Sequence, residues 1–117
     1  LQYADAGQTD PQAQAKANLD GAKARVKSQE LDIIQNLEQA QIAVEEAQER
    51  IQAAQALVAS AQENFRLAQG RFDAGVGTTL ELADAQLALT QAQNTESQAL
   101  ADYRISLARL DRAVGRR

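Results

Sequence analysis

A repeat of seven residues runs through the middle of the chain, between Leu37 and Phe72. Large apolar side chains recur at every seventh position, and alanine follows each of the first five of them three positions later. These are the a and d positions of a heptad pattern, which is typical of helices that pack along a narrow apolar stripe. The pattern predicts a long helix from about residue 12 to about residue 72. Its large column contains Leu37, Val44, Ile51, Val58, Phe65 and Phe72, and its small column contains Ala40, Ala47, Ala54, Ala61 and Ala68.

A second heptad pattern occupies the C-terminal third of the chain. Positions seven apart are again mostly large, and a small residue again follows each of them by three. Gly115 then fits a helix C-terminal cap, because glycine readily adopts the left-handed conformation found there. We therefore predict a helix from about residue 80 to about residue 114. Its large column contains Leu82, Leu89, Glu96, Tyr103 and Leu110, and its small column contains Ala85, Ala92, Ala99, Ser106 and Ala113.

The segment 73–79 separates the two patterns and shows no apolar period. Gly75 and Gly77 supply the backbone conformations that a tight turn needs. Thr78 or Thr79 can cap the helix that follows. The expected fold is therefore all-α, a long antiparallel helical hairpin with heptad packing and arms of unequal length.

The start of the first helix is marked by Asp10 followed by Pro11. An Asp side chain caps free backbone N–H groups, and Pro is tolerated in the first helical turn. We expect residues 1–11 to form an irregular lead-in and residues 12–117 to form the hairpin. Gly21 is either a kink in the first helix or the boundary of an irregular N-terminal part.

Large apolar residues outside the heptad columns widen the apolar faces beyond one two-helix seam. More helices are expected to cover these faces, so the hairpin should associate into a helical bundle or an α-barrel. The residues concerned are Ile34, Ile42, Leu57, Leu67, Leu87, Leu100, Leu107 and Val114.

The composition excludes several classes of function. The 117 residues contain no His and no Cys, so no imidazole base, thiol nucleophile, disulfide or usual zinc site can form. We expect no enzyme, no metal site and no cofactor. A net charge of −4 with scattered basic residues argues against nucleic-acid binding. No apolar run approaches the length of a membrane-spanning helix.

Residues 45–115 resemble the TolC family of outer-membrane efflux proteins. The similarity lies in AQENFRLAQGRFDAGVGTTLELADAQLALTQAQ, followed by ALADYRISLARLDRAVG, which match the family's helix, periplasmic turn and returning helix. The Arg-Phe pair, the glycine turn and the Asp-Ala-Gln after it are the most specific part. The family has two tandem repeats where this chain has one hairpin, so we expect a fragment or shortened variant of the helical part.

The resemblance implies a trimeric conduit through which small molecules or proteins leave the cell. An inner-membrane transporter drives export, and a periplasmic adaptor joins that pump to the helical tip of the conduit. This chain would then be the periplasmic portion of an outer-membrane protein.

Two groups of site residues follow from the resemblance. Adaptor docking is expected at the turn, at Arg71, Gly75, Val76, Gly77 and Thr78. Glu81 and Asp84, which share a face of the second helix, would ring the narrow end of the duct, where carboxylates attract cations. In the simpler interpretation the glycines only satisfy turn geometry, and the acids only favour a helix N-terminus.

A second class of function remains open from the sequence. The chain could be a coiled-coil interaction module, such as the hairpin of a periplasmic adaptor or a structural coiled coil. The glycine turn and the Asp-Ala-Gln after it favour the conduit.

Overall fold

Two α-helices account for most of the chain. The computed structural model describes residues 10–116, and these form helix α1 (Pro11–Asp73) and helix α2 (Thr79–Ala113), with no strand in that range. The all-α prediction and the helical hairpin are confirmed. The predicted irregular lead-in lies mostly at residues 1–9, outside the described residues.

Helix α1 begins with the cap that the sequence predicts. The Asp10 carboxylate accepts a hydrogen bond from the Gln12 backbone N–H at 3.2 Å, and Pro11 occupies the first helical position. Gly21 lies inside the helix, and the helical assignment continues through it. Gly21 is therefore not the start of the helix.

The chain divides into two units, one ending at Asn36 and one beginning at Leu37. In the first unit the apolar side chains of the helix are exposed, with Leu19, Val26 and Ile33 each more than half accessible. The second unit contains the rest of α1, the turn and the whole of α2, and it forms the hairpin. At 1.5 Å per residue, α2 is about 50 Å long.

The core of the hairpin consists of small side chains. Six of the residues 10–116 are buried, and all belong to the small heptad columns, while the large columns beside them, apart from Phe72, are half-buried. Small residues lie where two helices approach closest, and larger ones lean over the seam from either side. The heptad pattern therefore identifies the packed face of each helix correctly. The buried residues are Ala47, Ala54, Ala61, Ala92, Ala99 and Ser106.

Phe72 and Tyr103, both in the large columns, differ from a simple apolar seam. Phe72, at the end of α1, is 40% exposed, because the hairpin ends there and no further layer covers the ring. Tyr103 is half-buried, and its hydroxyl accepts a hydrogen bond from Gln48 Nε2 at 3.4 Å. This bond joins the two helices in the half of the hairpin that lies away from the turn.

Neither of the two described helices combines the length and the apolar character needed to cross a membrane.

Candidate functional site at the helical turn

Helix α1 ends in a hydrogen-bonded motif centred on Gly75. The Gly75 N–H donates to the Phe72 carbonyl at 2.9 Å, and the Val76 N–H donates to the Arg71 carbonyl at 3.0 Å. This pair of bonds is the Schellman motif, whose residue after the cap adopts a left-handed conformation. Gly75 has that conformation, with φ at 75°. The turn therefore requires glycine at this position.

Gly77 brings the chain back against the end of α1. Its N–H donates to the Arg71 carbonyl at 2.9 Å, so this carbonyl accepts two hydrogen bonds. A Cβ added at Gly77 would lie 2.9 Å from the Phe72 backbone nitrogen and 3.0 Å from the Arg71 carbonyl carbon. No side chain fits between these backbone atoms, so the close approach explains the second glycine.

Thr78 begins helix α2 with a capping box. The Glu81 N–H donates to Thr78 Oγ1 at 3.1 Å, and the Thr78 N–H donates to Glu81 Oε2 at 3.4 Å. The two residues thus satisfy each other's free backbone donors. Thr78 itself is extended, with φ −98° and ψ 157°, as an N-cap residue is.

An ion pair crosses the turn from one helix to the other. Arg71 Nε lies 3.8 Å from Glu81 Oε2, the same oxygen that accepts the Thr78 N–H. The two side chains are 59% and 51% exposed, so solvent screens their attraction strongly. The pair connects the last turn of α1 to the first turn of α2.

Apolar surface surrounds these polar contacts at the end of the hairpin. Val76 is 68% exposed and Leu80 is 70% exposed, and Phe72 adds part of its ring. The turn therefore presents a small apolar surface on a backbone fixed by hydrogen bonds at both helix ends. Such a surface is suited to contact with another protein end-on, rather than to enclosing a small molecule.

The structure brings most of the predicted site residues together. Arg71, Gly75, Val76, Gly77 and Thr78 form one continuous turn. Glu81, predicted with Asp84 to ring the duct, contacts this turn through its carboxylate. The Asp84 side chain is exposed and makes neither a hydrogen bond nor an ion pair with any residue between 10 and 116.

Sequence reasoning missed the link between Glu81 and the turn, although signals for it exist. Thr78-Thr79-Leu80-Glu81 is a capping-box sequence, with the acid three residues after the threonine. The ion pair to Arg71 follows only when the register of the hairpin is known, and the sequence does not fix that register.

The acidic residues of the described part do not form a metal centre. In the range 10–116, no three carboxylate residues are grouped so that they could hold a metal ion.

Comparison with known proteins gives one result that covers almost the whole chain. A family model described as outer membrane efflux protein matches residues 5–116. No curated protein and no solved structure matches the chain.

Proposed function

The chain belongs to the outer membrane efflux protein family, and from this membership we propose that its hairpin is the periplasmic end of an efflux conduit. Members of this family are conduits and not enzymes, so the prediction of a non-enzymatic protein is confirmed. The family is associated with the outer membrane, and neither described helix is a membrane span. A periplasmic position of the hairpin is consistent with both findings.

The turn is the part of the hairpin that docks a periplasmic adaptor, and the adaptor connects it to an inner-membrane transporter. The observation that carries this proposal is a turn held by hydrogen bonds at both helix ends, with Val76 and Leu80 largely exposed on it. A surface that is already ordered loses little conformational freedom on binding.

The test of docking is a charge placed on this surface. Val76→Asp is introduced in the protein that carries this hairpin, and ethidium efflux is followed by fluorescence in cells that contain the pump and the adaptor. Ala108→Asp is the matched control, because Ala108 is also exposed and lies about 40 Å along α2 from the turn. Loss of efflux with Val76→Asp alone supports the proposal. Equal efflux in both variants and the unmodified protein contradicts it.

The conduit is a homo-oligomer, and a trimer is the assembly we propose. Large apolar side chains on the outside of the hairpin support association, among them Leu57 at 50% and Leu87 at 56% exposed. A groove of about 320 Å³ between the helices, with Ala53, Ala54 and Ala99 in its lining, offers room for a side chain of a neighbouring helix. Sedimentation equilibrium of the chain over a concentration series tests this. A trimer, or a larger closed assembly, is expected, and a monomer at all concentrations contradicts it.

Glu81 and Asp84 lie in the first two turns of α2, where three copies would place carboxylates around the narrow end of the duct. Such a ring attracts cations and slows anions. The exposed Asp84 side chain, without a polar partner in the range 10–116, supports this for Asp84 in particular. Ion selectivity of the assembled conduit can be measured in planar bilayers. Asp84→Asn should lower its preference for cations, and an unchanged preference would show that Asp84 is not part of the ring.

The alternative of an adaptor hairpin or a free-standing structural coiled coil receives less support. The family model that matches almost the whole chain describes outer membrane efflux proteins, which are the conduits rather than the adaptors.

A further inference from the structure

The carboxylate of Glu81 contacts two partners at once. Its Oε2 atom accepts the Thr78 N–H at 3.4 Å and lies 3.8 Å from Arg71 Nε. Thr78 starts helix α2, and Arg71 belongs to the last turn of helix α1. One oxygen atom therefore connects both ends of the turn.

Arg71 is attached to the turn through its main chain as well. Its carbonyl accepts hydrogen bonds from Val76 and Gly77, which fixes the position of its backbone. The long side chain is left free to adopt many rotamers unless a partner restrains it. Glu81 is the only ion-pair partner of Arg71 in residues 10–116.

The pair also follows the register of the hairpin. One groove between the helices is lined by residues of both, among them the pairs Arg50 with Asp102 and Leu57 with Thr95. The residue numbers of each pair add to the same total, which in an antiparallel hairpin places the two members at the same level along the seam. The numbers of Arg71 and Glu81 add to that total too. The ion pair is thus the end of a row of facing positions along one side of the seam, so the helices themselves bring the two side chains together.

From these observations we infer that Glu81 is a positioning residue of the docking surface, holding the Arg71 guanidinium in place for the partner. This rests on the proposed function, and it divides the two acids between two roles. Glu81 is engaged at the turn, whereas Asp84 remains available to the duct.

Glu81→Gln separates the ion pair from the helix cap. A Gln three residues after a Thr still completes a capping box, because its side-chain carbonyl accepts the backbone N–H. The substitution keeps the hydrogen bond of the cap and removes the charge, which faces Arg71 and also interacts favourably with the N-terminus of α2. Glu63→Gln is the matched control, because Glu63 pairs with Arg66 within α1 and does not cross the turn.

The first readout is the Arg Nε–Hε signal of the isotopically labelled full chain in solution. Glu81→Gln should shift and broaden the Arg71 signal and leave that of Arg66 in place, and Glu63→Gln should do the reverse. The Thr78 amide should keep its protection from hydrogen exchange in Glu81→Gln. If Glu81→Gln leaves the Arg71 signal unchanged, the inference is overturned.

The second readout is the affinity of the full chain for the periplasmic adaptor, purified from the cells that are used in the efflux assay. Glu81→Gln should weaken binding about two- to fivefold, the range expected for one exposed ion pair. In an Arg71→Gln background the same substitution should have no further effect, because Glu81 acts through Arg71. An equal loss in both backgrounds overturns the positioning role.

The docking proposal fails by a different result. If the adaptor binds Val76→Asp as tightly as the unmodified chain, docking at the turn is wrong, whatever the Arg71 signal shows. If Val76→Asp abolishes binding and Glu81→Gln has no effect on it, the turn docks the adaptor and the role of Glu81 is wrong.

Discussion

Gly77 approaches the end of helix α1 so closely that a Cβ on it would lie 2.9 Å from the backbone nitrogen of Phe72. Backbone atoms cannot move aside as a flexible side chain can. The contact therefore determines the path by which the chain turns from α1 into α2, and with it the surface that Val76 and Thr78 present.

We predict that Gly77→Ala destabilises the hairpin by about 1–3 kcal/mol, the usual cost of forcing atoms into a filled space. Gly70→Ala is the control, since Gly70 lies within helix α1 and a Cβ there meets nothing within 4 Å. Alanine favours a helix interior over glycine, so this change should stabilise by about 0.5–1 kcal/mol. Urea unfolding followed by circular dichroism measures both. If both variants changed the free energy of unfolding in the same direction, the close packing at Gly77 would be contradicted.

A larger residue in the small heptad column should separate the helices. Ala54 is 4% exposed, so Ala54→Leu must displace the facing helix, at a cost of about 1–3 kcal/mol. Ala56→Leu makes the same change at an exposed position of the same helix, and should alter the free energy of unfolding by less than about 0.5 kcal/mol. The unfolding midpoint of each variant measures the difference. Equal stability of the two would mean that the alanine column is not the line of closest approach.

Glu96 occupies a large-column position of α2 and is half-buried. Its side chain makes no hydrogen bond or ion pair with residues 10–116. Glu96→Leu should therefore stabilise the hairpin by about 1 kcal/mol, because it buries apolar surface and removes an unpaired charge from the seam. Thermal unfolding measures this, with Glu49→Leu, at an exposed position of α1, as the control. A loss of stability in Glu96→Leu would indicate that Glu96 has a partner in the assembled conduit.

The exposed pair of Glu63 and Arg66 gives a pH-dependent prediction. Arg66 donates to both carboxylate oxygens of Glu63, at 2.9 and 2.7 Å, and these hydrogen bonds hold the pKa of Glu63 below its ordinary value. The contribution of the pair to stability is complete above the pKa that Glu63 has in the unfolded chain. It disappears as the pH falls through the lower pKa of the folded state.

Arg66→Gln tests this assignment. Carbon NMR of the Glu63 carboxyl group should show its pKa rising toward the ordinary value when Arg66 is replaced. Arg71→Gln, which leaves the Arg66 bonds intact, should not move it. An unchanged Glu63 pKa in Arg66→Gln would show that the hydrogen bonds do not persist in solution.

The helices and their packed faces could be predicted because they depend on local spacing. A seven-residue repeat places the same side of a helix toward its neighbour at every second turn, so Ala47, Ala54 and Ala61 were identifiable as core positions from their spacing alone. Gly75 and Thr78 were identifiable because a helix end and a helix start each favour a few residue types.

The contacts across the turn could not be predicted in the same way. The pairing of Arg71 with Glu81, and of Gln48 with Tyr103, depends on the register of the two helices. The length and conformation of the turn set this register, and the heptads of either helix do not. The exposure of Phe72 likewise depends on where the hairpin ends rather than on its heptad position.

Photo-cross-linking in intact cells can locate the adaptor on the hairpin. A benzophenone amino acid is placed at Val76, or at Ala108 as the control, in the protein that carries the hairpin, and the adaptor is detected by antibody. If the adaptor docks at the turn, we expect an adaptor cross-link from Val76 and none from Ala108. A cross-link from Ala108 with none from Val76 would contradict it, because the adaptor would then contact the side of the hairpin and not its turn.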